Sequence, residues 1–428
     1  MRIQRILMPA LLAAGVMPTL LAAQACPDPA ALTGGMDGPL AHVRYLADDA
    51  LEGRLAGSPG ERCAGDYIAG RFAALGLAPA GENGSYFQTL PLASAVNPHA
   101  PTGEGRNVVA LLPGSDPALA DEYIIIGAHY DHLGRGEFGS TRPEEKGAIH
   151  NGADDNASGV AALLHAAELL ARAPRTARPV LFLAFTGEES GLLGSAFFTR
   201  QPTRPLTDAR VMINLDMVGR LREGGLIVYG VDTAREWRDV LARIAAEAGL
   251  EMKLNGEGYG PSDHTSFYLQ DMPVLHFFTN THGDYHAPSD DWERIDAAGL
   301  EQLGVLVAGL SRDIADQRLQ LTLVRGAGRK PQAGAGGGYG AWLGTVPDFS
   351  PVARGVLLGG VSAGSPAEQA GLRKGDVLIG LAGRDVSDLQ GMTDVLRQHR
   401  PGDQVEIVVL RDGRELRLSA TLGSRGAR

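Results

Sequence analysis

Cysteine is scarce in this chain: of its 428 residues, only Cys26 and Cys63 are cysteines. A structural zinc site takes four protein ligands, so two isolated thiols are not expected to form one. In an oxidising compartment the two thiols can instead form a single disulfide that holds the N-terminal segment in place. The pairing of Cys26 with Cys63 is a hypothesis, which a thiol count on the unreduced protein would test.

Positive charge is also in short supply. Lys and Arg together number 39 against 50 Asp and Glu, which gives a formal net charge of -11 at pH 7. Non-specific binding to nucleic acid needs a basic surface, so that class of function is excluded, and binding to a membrane surface has no support either. The composition, 44% hydrophobic and 21% charged, is that of a globular protein. Its length predicts about two or three domains.

The apolar stretch at the N-terminus is not continuous, because two prolines and a glycine interrupt it (Pro9, Gly15 and Pro18). This argues against a permanent membrane span. Two arginines precede the stretch and the small-x-small sequence AQA follows it, as in a secretory signal peptide. We therefore predict that residues 1–25 are a signal peptide cleaved after Ala25, and that the protein is periplasmic or secreted without an integral span. Lipidation of Cys26 is less favoured, since the preceding AAQA lacks the expected Leu.

Short apolar runs alternate with helical stretches beyond Glu104. The runs are NVVALL, EYIIIGA, PVLFLAF, VMINL, GLIVYG and MPVLHFF, and VAALLHAAELLARA is a helical stretch among them. Buried strands that alternate with helices predict an α/β fold, with a mainly parallel central sheet flanked by helices. Ligands in such sheets gather beyond the carboxyl ends of the strands. The residues that follow each apolar run are therefore the first candidates for a site.

A change in composition marks a second domain. The segment from Arg325 to Gly340, RGAGRKPQAGAGGGYG, is rich in Gly and Ala and is typical of a flexible linker. The roughly 85 residues after it contain strand-like runs of their own, enough for a small domain. We predict a large domain at residues 26–324, a linker at 325–338 and a small domain at 339–424.

Carboxylate or imidazole side chains stand at the ends of these strands and before the helical stretch. They are His129, Asp131, Asp154, Asp155, Glu188, Glu189, Asp216, His276, His282 and His286. Several carboxylates at one place repel one another unless a multivalent cation compensates their charge. Mixed imidazole and carboxylate ligands suit zinc, and there are enough here for two ions, which need a carboxylate to bridge them.

Six blocks of sequence, in order, carry a resemblance to a known family: HYDHLG, NGADDNASGV, AFTGEESGLLGS, NLDMVG, SDHTSF and DYHAPSDDWERI. Together with LADDALEGRLAGSPG, they make residues 40–315 similar to the co-catalytic di-zinc exopeptidases. That family includes bacterial leucyl aminopeptidases, glutamate carboxypeptidase and the glutaminyl cyclases. The resemblance implies an exported exopeptidase, an aminopeptidase before other activities, with two zinc ions and with peptide or protein N-termini as substrates.

The resemblance also implies a role for each matching residue. The implied ligands are His129 and Asp216 for one zinc ion, Glu189 and His286 for the other, and Asp155 as the bridge between them. Glu188 would be the general base that activates a water bridging the zinc ions and passes its proton to the leaving amine. Asp131 would orient the first imidazole by accepting its second ring N–H.

The residues around the bridging position follow from the same resemblance. Asp154 and Asn156 are implied to support Asp155, and the peptide bond between Asp155 and Asn156 is implied to be cis. His264 is implied to lie near the substrate without binding metal. His264 and His282 compete with His286 for the last ligand position, and the family pattern favours His286.

Five further histidines match no ligand position, and we assign them no role. They are His42, His99, His132, His150 and His165.

The small domain contains GVSAGSPAEQAGLRKGDVLIGLAGRDV, which resembles a bacterial PDZ domain of strands and two helices. In that family a short loop before an edge strand captures a peptide carboxylate through backbone N–H groups, and the peptide adds as a strand. The matching residues are Trp342, Leu343, Gly344 and Thr345. A C-terminal peptide is therefore one expected partner; the alternative is a domain that only packs on the larger one or serves assembly.

Three other functions stay open at this point. A metallo-carboxypeptidase of this fold would need a basic cluster to hold the substrate carboxylate. A glutaminyl cyclase uses one zinc ion, and the full two-metal ligand set speaks against it. A non-catalytic peptide-binding protein is opposed by the intact ligands and base.

Overall fold

The structure is a computed structural model that describes residues 25–92, 101–328, 341–348, 350, 352–362, 364–396 and 398–423. The predicted signal peptide lies outside the described residues up to position 24, and so does the predicted linker from position 329 onward. Within the described part, no helix is long and apolar enough to cross a membrane. Cys26 and Cys63 form the predicted disulfide.

The larger unit is built from alternating strands and helices. Its helices are α1 (Pro29–Thr33), α2 (Pro39–Leu46), α3 (Pro59–Ala74), α4 (Gly159–Arg172), α5 (Leu193–Arg200), α6 (Leu221–Gly224), α7 (Trp237–Ala248), α8 (His264–Tyr268) and α9 (Ala297–Ala315). Its strands are β1 (Ala78–Pro79), β2 (Phe87–Pro91), β3 (Glu104–Leu112), β4 (Tyr123–His129), β5 (Val180–Phe185), β6 (Ala209–Leu215), β7 (Leu226–Tyr229), β8 (Met252–Leu254) and β9 (Val274–Phe278).

The strands form one mixed sheet in the order β1-β3-β5-β4-β6-β9-β7-β8, with β2 also paired to β3. The four central strands, β5, β4, β6 and β9, are parallel. On either side of them, β3 and β7 pair antiparallel. The predicted α/β fold is confirmed, and the predicted parallel direction holds at the centre of the sheet but not at its edges. The four parallel strands end along the same border, where the predicted site residues follow them.

Apolar side chains cover both faces of the sheet. In β4, Ile124 and Ile126 belong to the buried cluster on one face, whereas Tyr123 and Ile125 belong to the cluster on the other. This alternation follows from the two-residue period of a strand. All seven residues of β4 are buried, which explains why its sequence is a continuous apolar run.

The C-terminal unit is a separate antiparallel sheet with two helices. Its elements are β10 (Thr345–Asp348), β11 (Val356–Val361), α10 (Pro366–Gln369), β12 (Val377–Leu381), β13 (Arg384–Asp385), α11 (Leu389–Leu396), β14 (Gln404–Arg411) and β15 (Arg414–Thr421). The strand order is β10-β11-β12-β14-β15, with β13 paired to β12. This unit has its own apolar core, in which Leu343 and Met392 are buried. The predicted architecture of strands and two helices is confirmed.

Candidate active site

The five predicted metal ligands meet in one cavity at the carboxyl ends of the central strands. His129 is the last residue of β4, Asp216 follows β6, Glu189 follows β5, His286 follows β9, and Asp155 precedes α4. All five line the cavity, together with Glu188. Residues that are up to 157 positions apart in the chain are therefore neighbours, because parallel strands end at the same border of a sheet.

Asp155 lies between two pairs of these residues. Its Oδ1 atom is 3.3 Å from His129 Nε2, and that nitrogen is also 3.3 Å from Asp216 Oδ1. Its Oδ2 atom is 3.0 Å from His286 Nε2, which is 3.3 Å from Glu189 Oε2. Each carboxylate oxygen of Asp155 thus faces a separate imidazole–carboxylate pair, the arrangement that a bridging ligand needs.

The distances fit zinc. Ligand atoms about 2.0–2.1 Å from a tetrahedral ion lie roughly 3.3 Å from one another, which is the spacing within both pairs. His129, Asp155 and Asp216 each offer one ligand atom within 4.8 Å of the others. Burial alone would raise the pKa of Asp155, but hydrogen bonds from His129 and His286 hold it well below its ordinary range. Asp155 is therefore an ionised carboxylate that can bind metal.

Asp154 and Asn156, to which the resemblance assigns a supporting role, form hydrogen bonds with the residues at and after the end of β6. The Asp155–Asn156 peptide bond is cis, as expected. Asp154 Oδ1 accepts a hydrogen bond from Gly219 N at 2.6 Å. Asn156 Nδ2 donates to Leu215 O at 2.9 Å, and its Oδ1 accepts from Met217 N at 3.1 Å. These bonds tie the turn before α4 to the end of β6, where Asp216 lies.

Asp131 lies beside His129 and also reaches the base. Its Oδ1 is 3.7 Å from His129 Nδ1, while its main-chain carbonyl oxygen is closer, at 3.2 Å. The same Oδ1 accepts a hydrogen bond from Glu188 N at 3.1 Å. Asp131 therefore connects His129 at the end of β4 with Glu188 after β5. Its main-chain carbonyl group contacts the His129 ring, and its side chain binds the backbone N–H of Glu188.

The adjacent residues Glu188 and Glu189 have opposite electrostatic environments. Burial raises the pKa of Glu188 well above its ordinary value; the charge of His129 opposes this shift, and the charge of Glu189 adds to it. For Glu189, burial raises the pKa, but the charge of His286 and hydrogen bonds from His132 and His286 together outweigh burial, and the pKa is lowered to about 2. A carboxyl group with a raised pKa suits proton transfer, and one with a lowered pKa suits metal binding. The expected division of roles between the two agrees with this difference.

His132 is a site residue that the sequence analysis missed. Its side chain is fully buried, and its Nδ1 atom lies 2.8 Å from Glu189 Oε1. His132, Asp155 and Glu189 also form a group whose ligand atoms lie within 4.8 Å of one another. The available signal was its position three residues after His129, at the end of the same strand.

Asp290 is the second missed residue, and it supports the turn of Asp155 together with His282, one of the rival ligand candidates. Asp290 is fully buried, and its Oδ2 accepts hydrogen bonds from the backbone N–H groups of Asp154 and Asp155, at 2.9 and 3.1 Å. His282 Nε2 lies 3.1 Å from Asp154 Oδ2. His282 is therefore directed to Asp154, whereas His286 lines the cavity beside Asp155 and Glu189.

Arg54 is the third missed residue, and it is fully buried. Its guanidinium donates to the carbonyl oxygens of Tyr130 at 2.9 Å, Asn151 at 2.6 Å and Gly152 at 3.0 Å, and also to that of Leu46. Burial lowers the pKa of Arg54 to about 10, so the group stays charged at neutral pH. One side chain thus joins the segment after His129 to the turn before Asp155.

The structure does not place His264 in the cavity. It stacks on His276 with ring centroids 4.5 Å apart, and it is His276 that lines the cavity. Neither ring nitrogen of His264 has a hydrogen-bond partner, and burial lowers its pKa well below the ordinary value. His264 is therefore a neutral ring behind the cavity wall.

In the C-terminal unit, the predicted carboxylate loop precedes β10. Trp342 exchanges two backbone hydrogen bonds with Gly423, both of 2.8 Å. Leu343 and Gly344 are buried, and neither donates a backbone hydrogen bond within the described part of the chain. Gly344 has φ +84°, a conformation that favours glycine. Thr345 begins the strand.

Comparison with known families identifies both units. The model of peptidase family M28 matches residues 107–311, and the PDZ domain model matches residues 345–422. A probable leucine aminopeptidase of Arthroderma otae is 26% identical over 49% of this chain and 57% of its own length. Aminopeptidase YwaD of Bacillus subtilis is 34% identical over 44% of this chain and 40% of its own. The chain thus spans about half the length of these two curated relatives.

A third relative is covered more fully. The uncharacterized protein YfbL of Escherichia coli is 30% identical over 47% of this chain and 68% of its own length.

Among solved structures, a Zn-dependent exopeptidase from Parabacteroides distasonis is similar with a TM-score of 0.54 and 20% identity, covering 65% of this chain and 97% of the other. The glutaminyl cyclase of Bacteroides thetaiotaomicron is similar with a TM-score of 0.53 and 20% identity, and the match covers 65% of this chain and 97% of the cyclase. These structures share the zinc exopeptidase fold, and the chain belongs to peptidase family M28, with a PDZ domain near its C-terminus.

Proposed function

We propose that the protein is an exported aminopeptidase that binds two zinc ions and hydrolyses the first peptide bond of peptides with a free amino terminus. The observation that carries this proposal is the set of side chains that line the cavity. Four acidic residues line it, Asp155, Glu188, Glu189 and Asp216, and no Lys or Arg of the described residues does. Two bound zinc ions would offset the charge of the ligands, but no basic side chain is present to hold the C-terminal carboxylate of a substrate, which favours trimming from the N-terminus.

The same observation opposes the carboxypeptidase alternative, which would need a basic group to hold the carboxylate of its substrate. A non-catalytic role is opposed by the complete set of candidate ligands, which line the cavity together with Glu188. A glutaminyl cyclase shares the fold, and the assay below separates it from a hydrolase.

The residues divide into ligands and proton carriers. His129 and Asp216 would hold one zinc ion, Glu189 and His286 the other, and Asp155 would contact both. Bound zinc would polarise the scissile carbonyl group and lower the pKa of a water molecule beside it. The protein must then accept a proton from that water and deliver it to the leaving amine.

Glu188 is the group we assign to this transfer. It lines the cavity beside the ligands, and Asp131 fixes its main chain through the bond to Glu188 N. Burial raises its pKa well above the ordinary value, so it is a stronger base than an exposed carboxylate and can take up a proton and pass it to an amine, which is stronger still. Tyr285 lines the same cavity and stacks on His286 with ring centroids 3.9 Å apart. Burial and nearby carboxylates raise the pKa of Tyr285 well above the ordinary value, so its hydroxyl stays protonated and can donate to a substrate carbonyl.

The test combines substrates and a variant. Leucyl and glutamyl peptides with free amino termini should be cleaved, N-acetylated forms should not, and a zinc chelator should abolish the activity. Glu188→Gln should lower kcat by at least about 100-fold while zinc content stays near that of the wild type. Glu251→Gln, at an exposed position, is the matched control and should change neither quantity. Cleavage of only N-acetylated peptides, or cyclisation of N-terminal glutamine without hydrolysis, would refute the aminopeptidase assignment.

Export is the remaining part of the proposal. The disulfide between Cys26 and Cys63 supports it, because such bonds persist in oxidising compartments and are rare in the cytosol. Fractionation of the producing cells, with N-terminal sequencing of the mature protein, tests both the compartment and cleavage after Ala25.

A further inference from the structure

The PDZ domain contacts the wall of the catalytic cavity through the end of its first strand. Thr281 Oγ1 donates a hydrogen bond of 2.5 Å to the carbonyl oxygen of Pro347, the third residue of β10. Asn280 Nδ2 donates to Asp348 Oδ1 at 2.7 Å and to Ser350 Oγ at 3.3 Å. These residues join the loop after β9 to the end of β10.

The loop on the catalytic side is part of the site. Thr281 lines the cavity together with the metal-ligand candidates. Asn280 is buried and has a φ of 72°, in the left-handed region that Asn tolerates better than most residues. The end of β10 therefore lies at the rim of the cavity.

The beginning of β10 carries an unused set of hydrogen-bond donors. The backbone N–H groups of Leu343 and Gly344 bind nothing within the described part of the chain. In that same part of the chain, β10 pairs with β11 alone, so its other edge is open to a further strand. A terminal carboxylate matches the unused donors, and an extended peptide matches the open edge.

We infer that β10 guides one peptide between the two sites: the C-terminal carboxylate binds at Leu343 and Gly344, and the peptide amino end enters the catalytic cavity. This inference rests on the proposed aminopeptidase function. The direction follows from the positions of the two ends, because a peptide anchored at the start of β10 must run along the strand toward Asp348. The substrates selected are short peptides with a free C-terminus.

Two features of the strand agree with this path. Pro347 has no backbone N–H, so the strand ladder that a peptide can form ends where the catalytic domain begins. The peptide chain is thus released from β10 beside Thr281. At roughly 3.3 Å per residue, the path from Gly344 to Pro347 takes about three peptide residues, so only peptides longer than this can reach the cavity while their carboxylate stays bound.

The experiment uses the purified full chain and measures release of the N-terminal leucine. A six-residue peptide beginning with Leu is compared as its free acid and as its C-terminal amide, and leucine p-nitroanilide serves as a substrate too short to reach β10. We expect a KM at least about tenfold lower for the acid than for the amide, since the carboxylate adds a second point of attachment. The ratio should approach one for peptides of fifteen residues or more, whose extra residues weaken the coupling of the two ends.

A variant separates the domain contact from the chemistry. Asp348→Ala removes the acceptor of the Asn280 bond and should bring the acid-to-amide ratio of KM toward one, with hydrolysis of leucine p-nitroanilide unchanged. Asp385→Ala, whose side chain is 92% exposed in the same domain, is the matched control and should keep the wild-type ratio. Equal KM values for acid and amide in the wild type would overturn the inference while leaving the proposed function intact. No hydrolysis of any of these substrates would overturn the proposed function itself, and the inference with it.

Discussion

Replacing Arg54 by Met tests whether one buried side chain holds the two halves of the metal site together. Arg54 binds carbonyl oxygens on three segments: Leu46 at the end of α2, Tyr130 after β4, and Asn151 with Gly152 before Asp155. Methionine has a similar length and an apolar side chain, so it fills the space but donates no hydrogen bond.

The expected loss of stability can be worked from these contacts. A hydrogen bond from a charged donor contributes about 1.5–3 kcal/mol net, and a buried acceptor left without a partner costs about 1–3 kcal/mol. Arg54 serves four buried carbonyl groups, some of which can relax, so we expect Arg54→Met to lower the free energy of unfolding by on the order of 5 kcal/mol. The control is Arg62→Met, since Arg62 is exposed and donates to one carbonyl, that of Gly57 at 2.7 Å. That change should cost about 1 kcal/mol or less.

Urea unfolding measures the stability, and competition with a chromophoric chelator measures the zinc affinity. Misplacement of the His129 and Asp155 segments should weaken zinc binding by roughly 10- to 100-fold in Arg54→Met, as is usual for supporting residues. Arg54→Lys retains the charge but not the fork of donors. Its stability and its zinc affinity should therefore lie between those of the wild type and those of Arg54→Met. Equal unfolding midpoints and zinc affinities for Arg54→Met and Arg62→Met would refute the reasoning.

Three further predictions concern other parts of the structure. Asp155→Ala should reduce bound zinc to less than one equivalent per chain and abolish hydrolysis, as metal analysis and leucine release would show; full zinc content would contradict a bridging role. Burial lowers the pKa of His42 to about 3, so below pH 6.5 the unfolded chain binds a proton that the folded chain does not, and stability falls as the pH falls. From pH 7 to pH 5 this group should cost about 2 kcal/mol, and urea unfolding of His42→Gln should show a decrease smaller by that amount. The disulfide joins residues 37 positions apart. By loop closure, Cys63→Ser should lower the free energy of unfolding by up to about 4 kcal/mol, and an unchanged urea midpoint would show that the bond contributes little.

Local pattern explains what could be predicted about the site. Apolar runs of five to seven residues marked the buried strands, and ligands of α/β sheets gather where such strands end. His129 and Asp216 follow from this rule together with the resemblance, and the cavity contains both. The direction of the outer strands could not be predicted in this way, because an apolar run has the same composition whichever way the strand points.

The amino-acid sequence by itself determined the identities and order of the groups around the cavity, since carboxylates and imidazoles at strand ends are set by local position. Tertiary structure alone decided which other side chains support them. Arg54 reaches Gly152 across 98 positions, and Thr281 reaches Pro347 across 66. Contacts of this range depend on how whole elements pack, and no short pattern of residues around either partner records them. For the same reason His132 was passed over at the sequence level: only the packed sheet shows that its ring faces Glu189.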